Sequence, residues 1–112
     1  MKTVGLIPSV IERRNTNHLI IDYKLIIFIG KCFPKHQLKI LTGIEKKNKL
    51  DYVISIGSND ILTIKNTKSN KLRKKLDDYY FSYSLKNNIP FMGICYGAQY
   101  IANFFKSKKK KK

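Results

Sequence analysis

Two short apolar runs, separated by a helical pattern, constrain the fold of this chain more than any other feature. The run "LDYVISIGSND" (residues 50–60) is rich in β-branched residues and ends in glycine and turn formers, which is typical of a buried strand. The run "IPFMGIC" (89–95) has the same character. Between them, "SNKLRKKLDDYYFSYSLKNN" (69–88) predicts an amphipathic helix. Its apolar residues at helical spacing are Leu72, Leu76, Tyr79 or Tyr80, and Tyr83.

The segment "TNHLIIDYKLIIFIGK" (16–31) permits two interpretations. Its run "LIIFI" (25–29) could form a strand. Alternatively, Thr16 or Asn17 could cap a helix for which Gly30 would be a natural stop. We expect the helix, because four apolar residues would then share one face. These are Leu19, Tyr23, Ile26 and Ile27.

The remaining segments complete an alternating order of strands and helices. We expect strands at "KTVGLIP" (2–8) and "HQLKILTG" (36–43), a loop at "SVIERRN" (9–15), a connector at "IEKKNK" (44–49) and a helix at "YGAQYIANFFK" (96–106). The resulting order β-α-β-β-α-β-α predicts an α/β chain with a flavodoxin-like three-layer fold around a mainly parallel sheet. Ligands of such sheets bind beyond the carboxyl ends of the strands.

The formal net charge of +16 suggests nucleic-acid binding, but its distribution weakens that interpretation. Lys106 and Lys108–Lys112 carry six of the charges, which leaves +10 scattered over the rest of the chain. We therefore expect a solvated basic surface and a disordered lysine tail over residues 106–112.

Several classes of protein do not fit the composition. No apolar run approaches the roughly 20 residues that span a bilayer, and the start of the chain does not resemble a signal peptide. Cys32 and Cys95 are too few for a disulfide framework or a zinc site. The expectation is a cytoplasmic protein without a metal, a cofactor or a membrane partner.

The spacing Gly93-Ile94-Cys95-Tyr96-Gly97 is a G-x-C-x-G elbow, the thiol counterpart of the G-x-S-x-G turn. Glycines relieve crowding at such a sharp strand-to-helix turn. The helix that follows would direct its N-terminal N–H groups at the sulfur and favour thiolate, and the N–H of Tyr96 could hold an oxyanion. The alternative is that Cys95 is a buried small hydrophobic residue between packing glycines.

The stretch "PFMGICYGAQYIA" (90–102) resembles the nucleophile elbow of class I glutamine amidotransferases. The matching residues are Pro90, Gly93, Ile94, Cys95, Gly97 and Gln99. The resemblance implies that Cys95 attacks the side-chain amide of glutamine, or of another γ-glutamyl compound, to give a thioester and ammonia. It also implies that Gln99 and Gly97 shape the substrate pocket, and that a synthetase could accept the ammonia.

A narrower resemblance points to the branch of γ-glutamyl-γ-aminobutyrate hydrolases. "YVISIGSND" is similar to that branch's SGGND strand and turn, with Ser58 in place of the second glycine, and "IERRN" is similar to its ERRD. Arg73 and Asp77 resemble its R-D-x-x-E, with Lys74 at the aspartate position. In the family, the backbone at Gly57 and Ser58 would supply the second oxyanion N–H.

The catalytic histidine of the family, with a glutamate two residues on, lies downstream of the elbow. The two histidines here, His18 and His36, both precede it. We therefore expect residues 1–105 to be an incomplete domain, truncated after the elbow, with impaired chemistry. The alternatives are a non-catalytic fragment or binding subunit that retains the fold, and a basic nucleic-acid-binding module.

Overall fold

The computed structural model describes residues 1–47, 49–56, 68–94, 101–102 and 104–106. Its strands are β1 (Thr3–Ile7), β2 (Ser9–Arg13), β3 (Thr16–Ile20), β4 (Gln37–Ile40), β5 (Tyr52–Ser55) and β6 (Phe91–Gly93), and its helices are α1 (Tyr23–Cys32) and α2 (Lys68–Asn87). Residues 101–102 and 104–106 are also helical, within the helix expected after the elbow. In the described parts of the chain, no helix is both long enough and apolar enough to cross a bilayer.

Four strands form a fully parallel sheet in the order β4-β1-β5-β6. Ile7 pairs with Ser55 and Ser55 with Gly93, so β1, β5 and β6 end at the same level. The expected strands at 2–8, 36–43, 50–60 and 89–95 all contain one of these four. The parallel sheet predicted from the sequence is therefore confirmed.

The two helices cover opposite faces of this sheet, because neighbouring residues of a strand point to opposite sides. Ile54 packs in one cluster with Ile29 of α1. Val53, one residue earlier, packs in another cluster with Leu76 and Tyr80 of α2. The described chain thus has three layers, helix on sheet on helix, as predicted.

Residues 9–20 differ from both expectations for this region. The predicted loop at 9–15 and the first turns of the predicted helix at 16–31 instead form an antiparallel hairpin of β2 and β3. Its two-residue turn places Arg14 and Asn15 at φ 51° and 62°, as a type I′ turn requires. Pairing with β2 therefore replaces the helix over Thr16–Ile20.

The helix α1 begins later than predicted. Its N-cap is Asp22, whose side chain accepts hydrogen bonds from the N–H groups of Lys24 and Leu25, rather than Thr16 or Asn17. Gly30 does not stop the helix, which continues to Cys32.

Gly30→Ala should raise the free energy of unfolding by about 0.5–1 kcal/mol, because glycine is a poor residue inside a helix. A Cβ at this position would meet no atom within 4 Å. The control is Gly5→Ala, which should give no comparable gain because its Cβ would lie 3.0 Å from the Cδ1 atoms of Leu41 and Leu50. Urea unfolding curves of the two variants would measure the difference. A loss of stability in Gly30→Ala would contradict the position of this residue within α1.

The end of α2 sets the entry into β6. Asn88 has φ 55°, and the N–H of Ile89 donates to the carbonyl of Ser84 at 3.0 Å. This six-to-one hydrogen bond after a left-handed residue is a Schellman motif, which ends a helix and turns the chain away from its axis. Pro90, which cannot continue a helix, directly precedes β6.

Candidate functional site

The residues predicted to form the site all lie outside the described residues. They are the nucleophile Cys95, the oxyanion positions Tyr96, Ser58 and Gly57, and the pocket residues Gln99 and Gly97. The described chain reaches Ile56 on one side and Ile94 on the other, each one residue short of the predicted site.

The two strands that lead to the predicted site are neighbours in the sheet. The N–H of Ile94 donates to the carbonyl of Ser55 at 2.9 Å, and the N–H of Ile56 donates to the carbonyl of Ile7 at 3.0 Å. Adjacent strands are about 4.8 Å apart. The chain therefore leaves β5 and β6 side by side, at the carboxyl edge of a parallel sheet, where α/β proteins bind their ligands.

A buried ion pair lies directly beneath this edge. Arg73 and Asp77 of α2 both have a relative exposure of 0%, and the Arg73 Nε donates to the Asp77 Oδ2 at 2.9 Å. The Arg73 Nη2 donates to the Ser55 Oγ at 2.7 Å, and this hydroxyl donates to the Asp77 Oδ1 at 2.6 Å. A fourth bond runs from the Arg73 Nη1 to the carbonyl of Pro8 at 3.0 Å. We call Ser55, Arg73 and Asp77 the buried cluster.

The buried cluster follows from helical spacing. Arg73 and Asp77 are four residues apart and share one face of α2 with Leu76 and Tyr80. The apolar face of α2 expected from the sequence includes Leu72, which is only half-buried. The i,i+4 spacing of Arg73 and Asp77 within an apolar helix face is a sequence signal for a buried ion pair. The sequence analysis names these two residues only through their resemblance to R-D-x-x-E.

Burial and ion pairing have opposite effects on the pKa of Asp77 in the buried cluster. Burial raises the pKa of the Asp77 carboxyl above its ordinary value, because a carboxylate loses its hydration in the interior. The charge of Arg73 and the hydrogen bonds from Ser55 and Arg73 act in the opposite direction. Among the described residues, no buried side-chain nitrogen or oxygen lacks a hydrogen-bond partner.

The two histidines lie in different parts of the molecule. His36 precedes β4, whose first residue pairs with Thr3, and its Nδ1 lies 2.9 Å from the carbonyl oxygen of Pro34. At about 3.3 Å per residue, it is about 16 Å from the level at which β1 and β6 end. A general base must reach its proton directly or through one water. His36 therefore lies at the opposite edge of the sheet from the carboxyl ends of β5 and β6.

His18 lies in the hairpin of β2 and β3. It is exposed on β3 and pairs with Ile11 of β2, which follows the carboxyl end of β1. Within the described ranges, no group of three or more His, Cys, Asp or Glu side chains could hold a metal ion.

Comparison with known proteins places these observations in a family. A sequence model described as glutamine amidotransferase class-I matches residues 43–112, which include both strand ends at the predicted site. No curated protein and no solved structure matches the chain. The match covers well over half of the chain and includes α2, β6 and the G-x-C-x-G elbow, so the chain belongs to the class I glutamine amidotransferase family.

Proposed function

We propose that Cys95 is a nucleophile that attacks the γ-carboxamide of glutamine. The sulfur bonds to the amide carbon, the carbon–nitrogen bond breaks, and ammonia leaves with the proton from the thiol. Hydrolysis of the resulting γ-glutamyl thioester would return the thiol and release glutamate. The observation that carries this proposal is the elbow itself, which begins at the end of β6 inside the region matched by the family.

The oxyanion formed during this attack needs two N–H donors. We assign them to the backbone of Tyr96 and to that of Gly57 or Ser58. The neighbouring ends of β5 and β6 support this assignment, because the two segments leave the sheet one strand apart. Serine retains its backbone N–H, so the substitution of glycine at position 58 keeps the donor. One such donor is typically worth about 3–4 kcal/mol of transition-state stabilisation.

The substrate side of the proposal rests on the resemblance to the family. Gln99 and Gly97 would shape the pocket for the glutamine side chain. The closer likeness to γ-glutamyl-γ-aminobutyrate hydrolases favours a γ-glutamyl amide as substrate. The buried pairing of Arg73 with Asp77 agrees with a structural use of the R-D-x-x-E positions. The family resemblance also supports an ammonia-accepting synthetase as a partner of the site.

As a second candidate function, the chain is a non-catalytic fragment or binding subunit that retains the fold and does not turn over glutamine. The observation in its favour is the position of His36, at the opposite edge of the sheet from β6. General acid–base catalysis typically contributes about 10²–10⁴-fold to such reactions. In this second candidate, the 112-residue chain is therefore proposed to retain the fold with little or no turnover of glutamine.

A chloroketone analogue of glutamine should alkylate Cys95 selectively, because its ketone occupies the position of the amide carbonyl. Mass spectrometry of the labelled peptides would identify the modified cysteine. Glutamine should protect Cys95 but not Cys32, which is exposed at the last residue of α1 and serves as an internal control. In Cys95→Ala, the glutamine-protected labelling should disappear. Preferential labelling of Cys32 in the unmodified chain would refute the nucleophile assignment.

A further inference from the structure

We propose that Ser55, Arg73 and Asp77 are positioning residues, which hold the turn after β5 at the correct distance from Cys95. The inference rests on the proposed function, since it concerns the geometry of the same oxyanion site. These three side chains would not touch the substrate, because each is fully buried. They would act through the backbone of the two strand ends.

Ser55 connects the two strand ends to the buried cluster. Its carbonyl accepts the N–H of Ile94, the residue before Cys95. Its hydroxyl accepts from Arg73 and donates to Asp77. Because Ser55 also lies two residues before Gly57, a shift of this one residue would move both the nucleophile's strand and the oxyanion turn.

Arg73 extends the same restraint to a third strand. Its Nη1 donates to the carbonyl of Pro8, just after β1, while its Nη2 holds Ser55 and its Nε holds Asp77. The planar guanidinium fixes these three directions relative to one another. A lysine in this position would keep the charge but could not reproduce the fork.

Stability alone does not explain such an arrangement. Apolar residues of similar volume are often at least as stabilising as a buried ion pair. By contrast, a displacement of about 1 Å in reacting groups can cost about 100-fold in rate. The buried cluster holds the Ser55 side chain, and the Ser55 carbonyl accepts from the N–H of Ile94, so one restrained residue joins the two strands that precede the predicted turns.

The test compares Ser55→Ala with Ser55→Thr in the full chain. Ser55→Ala should lower the rate of Cys95 alkylation by the glutamine chloroketone roughly 10- to 100-fold. Ser55→Thr keeps a hydroxyl on a strand-compatible side chain and should restore most of that rate. Alkylation by iodoacetamide, which forms no oxyanion, should stay within about twofold of the unmodified chain at both Cys95 and Cys32.

The outcomes separate this inference from the proposed function. If glutamine does not protect Cys95 in the unmodified chain, the proposed function fails. If it does, and Ser55→Ala reacts with the chloroketone as fast as the unmodified chain, the positioning role is overturned. Should circular dichroism show that Ser55→Ala is unfolded, Arg73→Lys replaces it with the same expected result. If neither variant folds, the buried cluster serves stability and the positioning role is rejected.

Discussion

Asp77→Ala should lower the free energy of unfolding by about 3–5 kcal/mol. The reason is that Arg73, which has a relative exposure of 0%, would be left as a buried charge without its carboxylate. The Ser55 hydroxyl would lose its acceptor at the same time. Urea unfolding followed by circular dichroism would measure the loss, which is a large share of the stability of a typical domain.

An exposed ion pair one residue further along α2 provides a matched control. Lys74 and Asp78 form an ion pair of the same i,i+4 spacing at 2.7 Å, but their side chains are 43% and 49% exposed. Asp78→Ala should therefore cost only about 0.3–0.5 kcal/mol. A triple variant with Arg73→Met, Asp77→Leu and Ser55→Ala should recover most of the loss, because it leaves neither a buried charge nor an unpaired buried hydroxyl. Equal losses in Asp77→Ala and Asp78→Ala would contradict the burial of the first pair.

Steady-state release of ammonia from glutamine should be slow in the 112-residue chain, and little γ-glutamyl thioester should form at Cys95, because a base is needed both to protonate the leaving ammonia and to activate the hydrolytic water. A catalytic base is typically worth about 10²–10⁴-fold, and His36 lies about 16 Å along the strand direction from the level at which β6 ends. Ammonia release would be measured against Cys95→Ala as the blank, and the thioester by intact mass. Added imidazole, which can act as a free base, should accelerate the release.

Fast turnover would contradict this expectation and would show that a base is present. His18→Ala and His36→Ala would then locate it. Because His36 lies at the amino edge of the sheet, its substitution should leave the rate unchanged. A loss of rate in His18→Ala alone would instead assign the base to the hairpin of β2 and β3, and a loss in neither would indicate a second chain as the donor.

The sheet and the long helix could be predicted from the sequence because their signals are local. β5 is a β-branched run, and α2 repeats its apolar residues at helical spacing. The hairpin of β2 and β3 could not be predicted in this way. Its turn residues, Arg14 and Asn15, lack the glycine that usually marks a type I′ turn. β3 is exposed along its whole length, so it shows no alternation of apolar and polar residues.

The start of α1 was missed for a related reason. Asp22 is a good N-cap residue, but apolar residues precede it, and these extend the helical pattern backwards to Leu19. Only the pairing of Leu19 with Val10 in the hairpin decides against that extension. Pairing across a turn is a tertiary effect, which can override the propensity of a short segment.

The G-x-C-x-G spacing predicts Cys95 and Tyr96, the resemblance adds the roles of the other four site residues, and all six stay predictions. What the structure adds is Ser55, which the sequence offered only as a polar residue within the run "YVISI". A buried hydroxyl in an apolar strand needs a hydrogen-bond partner. That requirement could have directed attention to the helix face carrying Arg73 and Asp77, but the strand order and register were needed to bring them together.

The hydrogen bond from Arg73 to Pro8 has a consequence for the order of folding. It joins residues 65 positions apart in the chain, whereas Arg73 and Asp77 are neighbours on one helix. Contacts between distant segments form late, because the entropy of closing a long loop must first be overcome. We therefore expect the helix to form before the buried cluster closes. The edge of the sheet that carries the predicted chemistry would then be among the last parts of the molecule to become ordered.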